Sequence, residues 1–522
     1  MKKIVLHPFL FALFPIIFLF AQNINIIPFS EMLLPAGVML AATSLLLLIL
    51  GAISGQFHRT GVIVSVVLAF FYSYGYWHRL IMNAPLQSKL YMGPEFILTT
   101  WSVFLMFGVI LIVRKKQHFK NLTATLNIVS ICLVTMSTVN IGIHYLGPRP
   151  TLRSDDPHFA EKSEGPESSR SRTLRDIYYI LVDGYAGADV LGELYRYDNH
   201  DFLDFLSQRG FYVVPDGKAN YCQTALCAAS ALNCDYIDRL MKNGYEHSAD
   251  RRPLRAMIRN NFVTKFLSEK GFTTVAFSSG IGWTEMTDAD FYLTPTLFLS
   301  VFQNLLINMT PLHSITKNIL HNSQYDLHRD RVLFTFEKMR ALPPNISPKF
   351  VFAHIIAPHP PFVFDEHGEK IEPRTSFSFD DGSHYKRRVD ASQEVYIQKY
   401  RSQLKFINQL LISTINGILD RYETPPIIIL QSDHGPGSQL NWESVKSTNL
   451  KERFSILNAY YLPEGGNSRL HDRITPVNTF RVVLNHYFGM TFDMLGDESY
   501  FSVWSFPYRF INVTSRIKES GP

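Results

Sequence analysis

Two apolar runs of the chain each end in residues that can bind a metal ion. The run Ile177-Tyr-Tyr-Ile-Leu-Val stops at Asp183, and a second run ends in Ser-Asp-His-Gly, which places Asp433 beside His434. Short apolar runs of this kind predict buried strands of a parallel sheet. Because the carboxyl ends of parallel strands meet at one edge of a sheet, we expect the three side chains to lie close together. Two carboxylates and one imidazole suit a divalent metal ion.

A hydroxyl that could act as a nucleophile lies between these two strands in sequence. Thr224 stands where the polar loop Asn220-Tyr-Cys-Gln gives way to the Ala-rich helical pattern Ala-Leu-Cys-Ala-Ala-Ser. The start of a helix presents N–H groups that favour a bound phosphate or sulfate. A nearby metal ion would lower the pKa of the hydroxyl. The alternative is that Thr224 only caps the helix.

The elements that must position these residues alternate along the second part of the chain. Apolar strand patterns are separated by longer helical patterns, which predicts an α/β domain with a mostly parallel sheet sandwiched by helices. A further strand at residues 456–463 is expected to add an edge to the sheet. The predicted strands are 177–183, 273–278, 349–357 and 425–431, and the predicted helices include 254–269 and 391–420.

Five segments near the start of the chain are almost free of charge, and each is close to the ~20 residues that span a bilayer as a helix. We interpret them as five transmembrane helices. Basic residues cluster in the loops on one side, which predicts that this side is cytoplasmic and that everything after about residue 146 lies outside. The segments are residues 5–21, 33–54, 62–77, 96–113 and 125–145.

These patterns predict three parts: a transmembrane region over residues 1–146, a flexible linker rich in Ser and Pro over 147–175, and a catalytic domain over 176–522. The formal net charge of +5 includes the juxtamembrane lysines and arginines, so it favours an anionic membrane surface as partner. No arginine-rich stripe with interleaved aromatics is present, and nucleic acid is not expected as a partner. The oligomeric state is left open.

Four short motifs, in this order, resemble the alkaline phosphatase superfamily. They are Leu-Val-Asp-Gly-Tyr around Asp183, Tyr-Cys-Gln-Thr ending at Thr224, Ala-Pro-His-Pro-Pro-Phe around His359, and Ser-Asp-His-Gly around Asp433 and His434. The resemblance is to the sulfatase-like, membrane-anchored branch that includes lipoteichoic acid synthases and phosphoethanolamine transferases. Five helices followed by an exported domain match the layout of the lipoteichoic acid synthases.

The resemblance implies one divalent metal ion held by Asp183, Thr224, Asp433 and His434, with Mn²⁺ or Zn²⁺ favoured over Mg²⁺. It also implies that Thr224 is the attacking group and forms a phosphothreonine intermediate. The catalytic domain would then lie on the outer side of the inner membrane, in the periplasm or at the cell surface.

The same resemblance assigns substrate contacts. His359 corresponds to the family's substrate-contacting histidine and is expected to bind the transferred group or to protonate the leaving oxygen. His354 is its rival, with a hydrogen-bonded core histidine as the alternative. Arg453 could clamp a phosphate, or could be a solvated surface residue. Trp283 lies in the stretch that binds the glycerol-phosphate head in lipoteichoic acid synthases.

The expected activity is transfer of a phosphoglycerol-type or phosphoethanolamine-type group between a membrane lipid and a cell-envelope glycan. The alternatives are hydrolysis of a phosphoric or sulfuric ester, and a non-catalytic envelope-binding protein of the same fold. Glu285 stands where lipoteichoic acid synthases have an arginine, and the sulfatase motif for formylglycine is absent around Cys222 and Cys227. The pairing of those cysteines and Cys234 is left open.

Overall fold

The computed structural model describes residues 4–24, 29–82, 94–115, 119–146, 174–241, 245–295, 301–312, 324–343, 348–372, 375 and 377–519. Contacts divide the chain into two compact units. One is Met1–Arg149 with Thr296–Ser323, and the other is Pro150–Pro295 with Gln324–Pro522. The predicted linker lies outside the described residues except for its last two positions.

The first unit begins with helices in each of the five apolar segments. The second to the fifth of them are long and apolar enough to cross a membrane. The first has 16 residues, which at 1.5 Å per residue is shorter than the ~30 Å hydrocarbon core, so a fifth crossing stays a prediction. The helices are α1 (His7–Gln22), α2 (Ser30–Ser54), α3 (Phe57–Met82), α4 (Pro94–Arg114) and α5 (Lys120–Leu146).

Helix α1 packs inside this bundle. Its residues His7, Ala12, Ile16 and Phe20 are fully buried, whereas the apolar side chains of α2, α4 and α5 are largely exposed. The side-chain oxygen of Asn127 accepts hydrogen bonds from the backbone N–H groups of residues 6 and 7, at 3.0 and 2.9 Å, where α1 begins. An apolar surface turned outward on three helices is what a lipid environment requires.

A short helix from the later part of the chain, Val301–Ile307, belongs to the same unit. Phe302 and Leu306 pack with Ile16 and Phe20 of α1. The backbone N–H of Gly75 donates to the carbonyl oxygen of residue 309 at 3.0 Å. Residues 301–312 therefore pack on the apolar helices, although they lie within the predicted catalytic domain, 176–522.

The second unit contains the strands and the remaining helices. In the part of this unit that the structure describes, short 3-10 helices cover Val445–Ser447, Gly466–Arg469 and Pro476–Asn478. The strands are β1 (Ile177–Val182), β2 (Tyr212–Val213), β3 (Thr273–Phe277), β4 (Phe291–Leu293), β5 (Lys349–Ile355), β6 (Ile427–Gln431), β7 (Asn458–Tyr461), β8 (Tyr500–Phe501) and β9 (Ile511–Asn512). The helices are α6 (Ala188–Glu193), α7 (His200–Gln208), α8 (Thr224–Leu232), α9 (Ile237–Leu240), α10 (Arg252–Arg259), α11 (Phe262–Glu269), α12 (Gln324–Ala341), α13 (Gly382–Val389), α14 (Gln393–Leu419), α15 (Leu450–Phe454), α16 (Thr479–Phe488) and α17 (Thr514–Glu519).

Seven strands form one sheet in the order β2-β7-β6-β1-β5-β3-β4. The pairs from β6 to β4 are parallel, and β7 is antiparallel to both of its neighbours. The predicted α/β fold with a mostly parallel sheet is confirmed. The expectation that the strand after the Asp-His motif forms an edge is wrong, because β2 pairs with the outer side of β7.

Both faces of the sheet are buried, which explains the continuous apolar runs. Along β1, the side chains of Ile177, Tyr179 and Leu181 pack in one hydrophobic cluster. Tyr178 and Ile180 pack in a second cluster with helix α14. Strands covered on both faces lose the alternation of polar and apolar residues, so β1 lies at the centre of the sheet, between β5 and β6.

Polar caps set the limits of two predicted helices. Ser392 accepts a hydrogen bond from the backbone N–H of Val395 at 3.3 Å and begins α14, close to the predicted start. Asn261 accepts from the backbone N–H of Thr264 at 2.8 Å. Because this N-cap starts a new helix, the predicted helix over 254–269 is two helices, α10 and α11.

Candidate active site

The strand-end residues of the sequence analysis meet at the carboxyl edge of the sheet. Asp183 directly follows β1, and Asp433 and His434 follow the adjacent parallel strand β6. All three side chains are buried. The Nε2 atom of His434 lies 3.2 Å from Oδ2 of Asp433 and 3.8 Å from Oδ1 of Asp183.

Thr224 contributes a hydroxyl to this group from the start of helix α8. It is the first residue of that helix, and its Oγ1 lies 3.0 Å from Nε2 of His434. The other ring nitrogen of His434 faces the carbonyl oxygen of Gly435 at 3.1 Å. Since a carbonyl only accepts, Nδ1 carries the proton, and the unprotonated Nε2 accepts the hydrogen bond of the Thr224 hydroxyl. The structure thus brings the four predicted ligand residues together.

His354 is a fifth member of the group. It lies on β5, opposite Leu181 of β1, and its Nε2 lies 3.4 Å from Oδ2 of Asp183. Its Nδ1 makes a hydrogen bond of 2.7 Å with the hydroxyl of Thr284. Among the described residues, Asp183, His354 and Asp433 offer ligand atoms that all lie within 4.8 Å of one another. His354 therefore faces the carboxylates.

Three atoms of this group lack a hydrogen bond. They are Oδ1 of Asp183, Nε2 of His354 and Oδ2 of Asp433, all buried. An unpaired buried polar atom costs about 1–3 kcal/mol, and such atoms are rare in folded proteins. Three of them pointing into one small space fit a bound cation, and oxygen and imidazole donors suit a divalent ion.

The electrostatics of the two carboxyl groups lead to the same conclusion. Burial raises the pKa of Asp433, and the charge of Asp183 raises it further. The pKa of Asp183 lies below its ordinary value, because the nearby imidazoles of His359, His354 and His434 lower it more than burial raises it. Two carboxylates this close disfavour joint ionisation unless a positive charge lies between them.

His359 approaches the same space from the loop after β5. Its backbone N–H donates to the carbonyl oxygen of Asp183 at 3.0 Å, and its ring centre lies 6.3 Å from that of His434. Its Nδ1 is held by the carbonyl oxygen of Pro360. Gly184 permits this approach, because a Cβ there would lie 3.4 Å from Cβ of His359, and its φ of +71° favours glycine.

Arg453 is buried in the protein and is not a solvated surface residue. It is 1% exposed, and its Nε and Nη2 donate to the carbonyl oxygen of Cys222 at 2.9 and 2.6 Å. Its Nη1 donates to Asp381 at 3.0 Å and to the carbonyl oxygen of Gly435 at 3.2 Å. The guanidinium also lies over the ring of Trp442. Arg453 thus binds backbone carbonyl oxygens and a protein carboxylate, and its contact with a substrate phosphate stays a prediction.

Trp283 is half-buried and packs against the hydrophobic cluster on one face of the sheet. Its contact with a substrate stays a prediction. The next residue, Thr284, reaches the site through its bond to His354 and was not singled out from the sequence. Only its position directly after Trp283, in the stretch compared with lipoteichoic acid synthases, could have indicated it.

The cysteines of the second unit are not part of the site. Cys222, Cys227 and Cys234 are all buried and free, and burial raises the pKa of each thiol. Cys222 contributes only its backbone carbonyl to the contact with Arg453. The sequence left the disulfide pairing of these cysteines open, and in the structure all three thiols are unpaired.

Comparisons with known proteins place two classes of enzyme beside this chain. No protein-family model matches, and no curated protein sequence matches significantly. Among solved structures, the integral membrane lipooligosaccharide phosphoethanolamine transferase A from Neisseria meningitidis matches 92% of this chain and 94% of its own, with 10% identity and a TM-score of 0.38. The periplasmic domain of EcEptC from Escherichia coli, in complex with Zn, matches 66% of this chain and 94% of its own, with 10% identity and a TM-score of 0.40.

A 2-O GAG sulfatase matches 62% of this chain and 72% of its own, with 13% identity and a TM-score of 0.36. Phosphoethanolamine transferases and sulfatases are also classes that the motifs of the chain resemble. Likeness of this degree leaves the reaction to be inferred from the side chains.

Proposed function

We propose that this chain is a membrane-anchored, metal-dependent enzyme of the alkaline phosphatase superfamily that transfers a phosphoryl-type group by way of Thr224. One observation carries the proposal: the Thr224 hydroxyl, at the start of α8, lies 3.0 Å from His434 and beside two buried carboxylates. The first N–H groups of a helix favour an anion. A nucleophile, a metal-ligand cluster and an anion-binding helix start therefore occupy one place.

The ligands of the metal ion would be Asp183, Asp433, His434 and Thr224, with His354 in reach. When bound, a divalent ion would polarise the ester and lower the pKa of the threonine hydroxyl. Mn²⁺, Zn²⁺ and Mg²⁺ all accept oxygen donors, and the imidazoles favour Mn²⁺ or Zn²⁺. One ion is expected.

The residues of the chain divide the reaction into two halves. In the first, the Thr224 hydroxyl releases its proton to solvent, Oγ1 forms a bond to the phosphorus of the donor, and the bond from phosphorus to the leaving oxygen breaks. His359, which faces the same space, donates a proton to that oxygen. In the second half, an acceptor hydroxyl gives its proton to His359 as its oxygen bonds to the phosphorus, the bond from phosphorus to Oγ1 breaks, and Oγ1 of Thr224 takes up a proton. Water as acceptor would make the same site a phosphoesterase.

The apolar helices of the first unit favour a lipid-borne donor, of the phosphoglycerol or phosphoethanolamine class, and an envelope glycan as acceptor. The catalytic unit would then lie outside the inner membrane, as the basic loops predict. A reporter fused after residue 175 tests the location, because it signals only outside the cytoplasm if the proposal holds. A cytoplasmic signal would overturn the assigned orientation.

Turnover by the full chain in detergent tests the activity. Purified protein is incubated with Mn²⁺ and headgroup-labelled envelope phospholipids, and label in water-soluble and glycan fractions is counted. We expect label to leave the lipid with wild type and not with Thr224→Ala, while Asp198→Asn, an exposed carboxylate, behaves as wild type. Label in the glycan indicates transfer, and label in water indicates hydrolysis. Release of the label from lipid by Thr224→Ala at the wild-type level would refute the assignment of Thr224 as the nucleophile.

A further inference from the structure

Helix α12 carries a buried arginine, Arg331, whose guanidinium makes no hydrogen bond or ion pair with a described residue. Arg331 is 6% exposed, and its Nε makes no hydrogen bond. Burying a charge without a partner is costly in a folded protein, and an arginine stays protonated. The fold therefore keeps a cation where an anion would be stabilised.

The guanidinium lies directly against the backbone of Gly280. A Cβ at that glycine would lie 2.4 Å from Nη1 and 2.9 Å from Cζ of Arg331, and its φ is +85°. Only glycine meets both conditions. The loop that starts at Gly280 thus leaves room for the arginine fork, whose N–H groups match the geometry of a tetrahedral oxyanion or a carboxylate.

The carboxylate of Glu285, whose charge acts on Arg331, already accepts hydrogen bonds from other groups. One of its oxygens accepts the backbone N–H of Gly280 at 2.7 Å, and the other accepts the hydroxyl of Tyr292. Its charge acts on Arg331 at longer range but does not approach within ion-pair distance. Glu285 therefore lowers the electrostatic cost of Arg331 and leaves its N–H groups available.

The same loop leads to the active site through three side chains. The hydroxyl of Ser279, beside Gly280, lies 3.1 Å from that of Thr284. The Thr284 hydroxyl is bonded to Nδ1 of His354 at 2.7 Å, and Nε2 of His354 faces Asp183. The loop that packs on Arg331 is thus joined by hydrogen bonds to His354, which faces the carboxylate of Asp183.

One turn before Arg331, α12 carries a second buried titratable side chain, that of His328. His328 is fully buried, and its ring lies edge-on to Phe379, with centres 5.0 Å apart. Burial, the charge of Arg331 and that of His359 lower its pKa to about 3. A neutral imidazole there offers an N–H.

We propose that Arg331, with the loop from Gly280 to Glu285, forms a second anion subsite that binds a phosphate or sulfate oxyanion of the substrate beside the metal site. Its place in the reaction rests on the proposed function. Anion binding itself does not, because it needs neither the metal nor Thr224.

Calorimetric titration of the full chain in detergent tests the subsite. The protein is first stripped of metal with EDTA, and inorganic phosphate and sulfate are the probes. We expect one of them to bind wild type and to bind Arg331→Gln about tenfold or more weakly, the scale of a lost charge-assisted hydrogen bond. Lys338→Gln, an exposed site on the same helix, should bind as wild type.

Two further variants keep the test decisive. Thr224→Ala should bind the anion as wild type, which separates the subsite from the nucleophile. Glu285→Gln should bind it more tightly, because a like charge is removed, and this arm decides the matter if Arg331→Gln does not fold. Equal binding by wild type and Arg331→Gln, weaker binding by Glu285→Gln, or no binding by wild type would each overturn the subsite. Binding without any turnover would uphold it and refute the proposed transfer alone.

Discussion

The guanidinium of Arg453 holds the carbonyl oxygen of Cys222, two residues before Thr224, with hydrogen bonds of 2.9 and 2.6 Å. The same group donates to the carbonyl oxygen of Gly435, the residue after His434, at 3.2 Å. Arg453 therefore ties the loop that ends at the threonine to the strand end that carries the histidine. We interpret it as a positioning residue.

Replacing Arg453 by lysine should lower kcat by about tenfold or more and leave KM for the donor nearly unchanged. An ammonium group cannot span both carbonyl oxygens as the planar fork does, and small displacements of a nucleophile are costly to rate. Steady-state kinetics on full-length protein measure both constants. The matched control is Arg209→Lys, an exposed pair with Asp420. A raised KM at unchanged kcat would instead mean that Arg453 contacts the substrate.

Metal removal should abolish turnover and lower thermal stability, because Asp183 and Asp433 are then left as neighbouring buried carboxyl groups. Elemental analysis of wild type should give about one divalent ion per chain, in line with one cluster of ligands. Asp433→Asn should reduce that occupancy, and the exposed Asp198→Asn should not. Full occupancy in Asp433→Asn would contradict the assigned ligand set.

The same measurement of metal occupancy distinguishes the roles of His434 and His354. His434→Gln and His354→Gln should both weaken metal binding, since Nε2 of each ring lies beside a buried carboxylate oxygen. A His354→Gln protein that keeps its metal but has a raised KM would show that His354 contacts the substrate instead, one of the roles the sequence left open for it.

The three thiols of the catalytic unit should react slowly in native protein at pH 8. Burial raises the pKa of Cys222 and Cys227 and raises that of Cys234 to about 12, so the reactive thiolate is scarce until the pH approaches those values. Maleimide labelling in a Cys132→Ser background should give no rapid label, and all three should react after SDS. Ser207→Cys, an exposed position, serves as the reactive control. Fewer than three thiols after SDS without reductant would indicate a disulfide.

The sequence was most informative where a single local rule decides the outcome. The runs before Asp183 and Asp433 are buried on both faces of the sheet, so their apolar continuity predicted both strands and the edge where their ends meet. Strand β2 has two residues, too few for a pattern, and the edge position was therefore misassigned to β7. Residue type alone could not place Arg453, because backbone carbonyl partners leave no trace in the sequence.

Unpaired groups were equally hidden from sequence. Arg331 lies among other charged residues of α12, and only its contact with Gly280 and the lack of a partner among the described residues distinguish it from a surface arginine. The same holds for Nε2 of His354, whose orientation toward Asp183 depends on the hydroxyl of Thr284. Such relationships arise from tertiary packing between elements far apart in the chain.

The central claim is that Thr224 carries the transferred group. Full-length protein in detergent is incubated with Mn²⁺ and envelope lipids, quenched in acid and digested, and the peptide that contains residue 224 is examined by mass spectrometry. We expect an added mass on Thr224 in wild type, on the serine in Thr224→Ser, and on no residue in Thr224→Ala. The same added mass on another residue, with turnover intact in Thr224→Ala, would contradict the account.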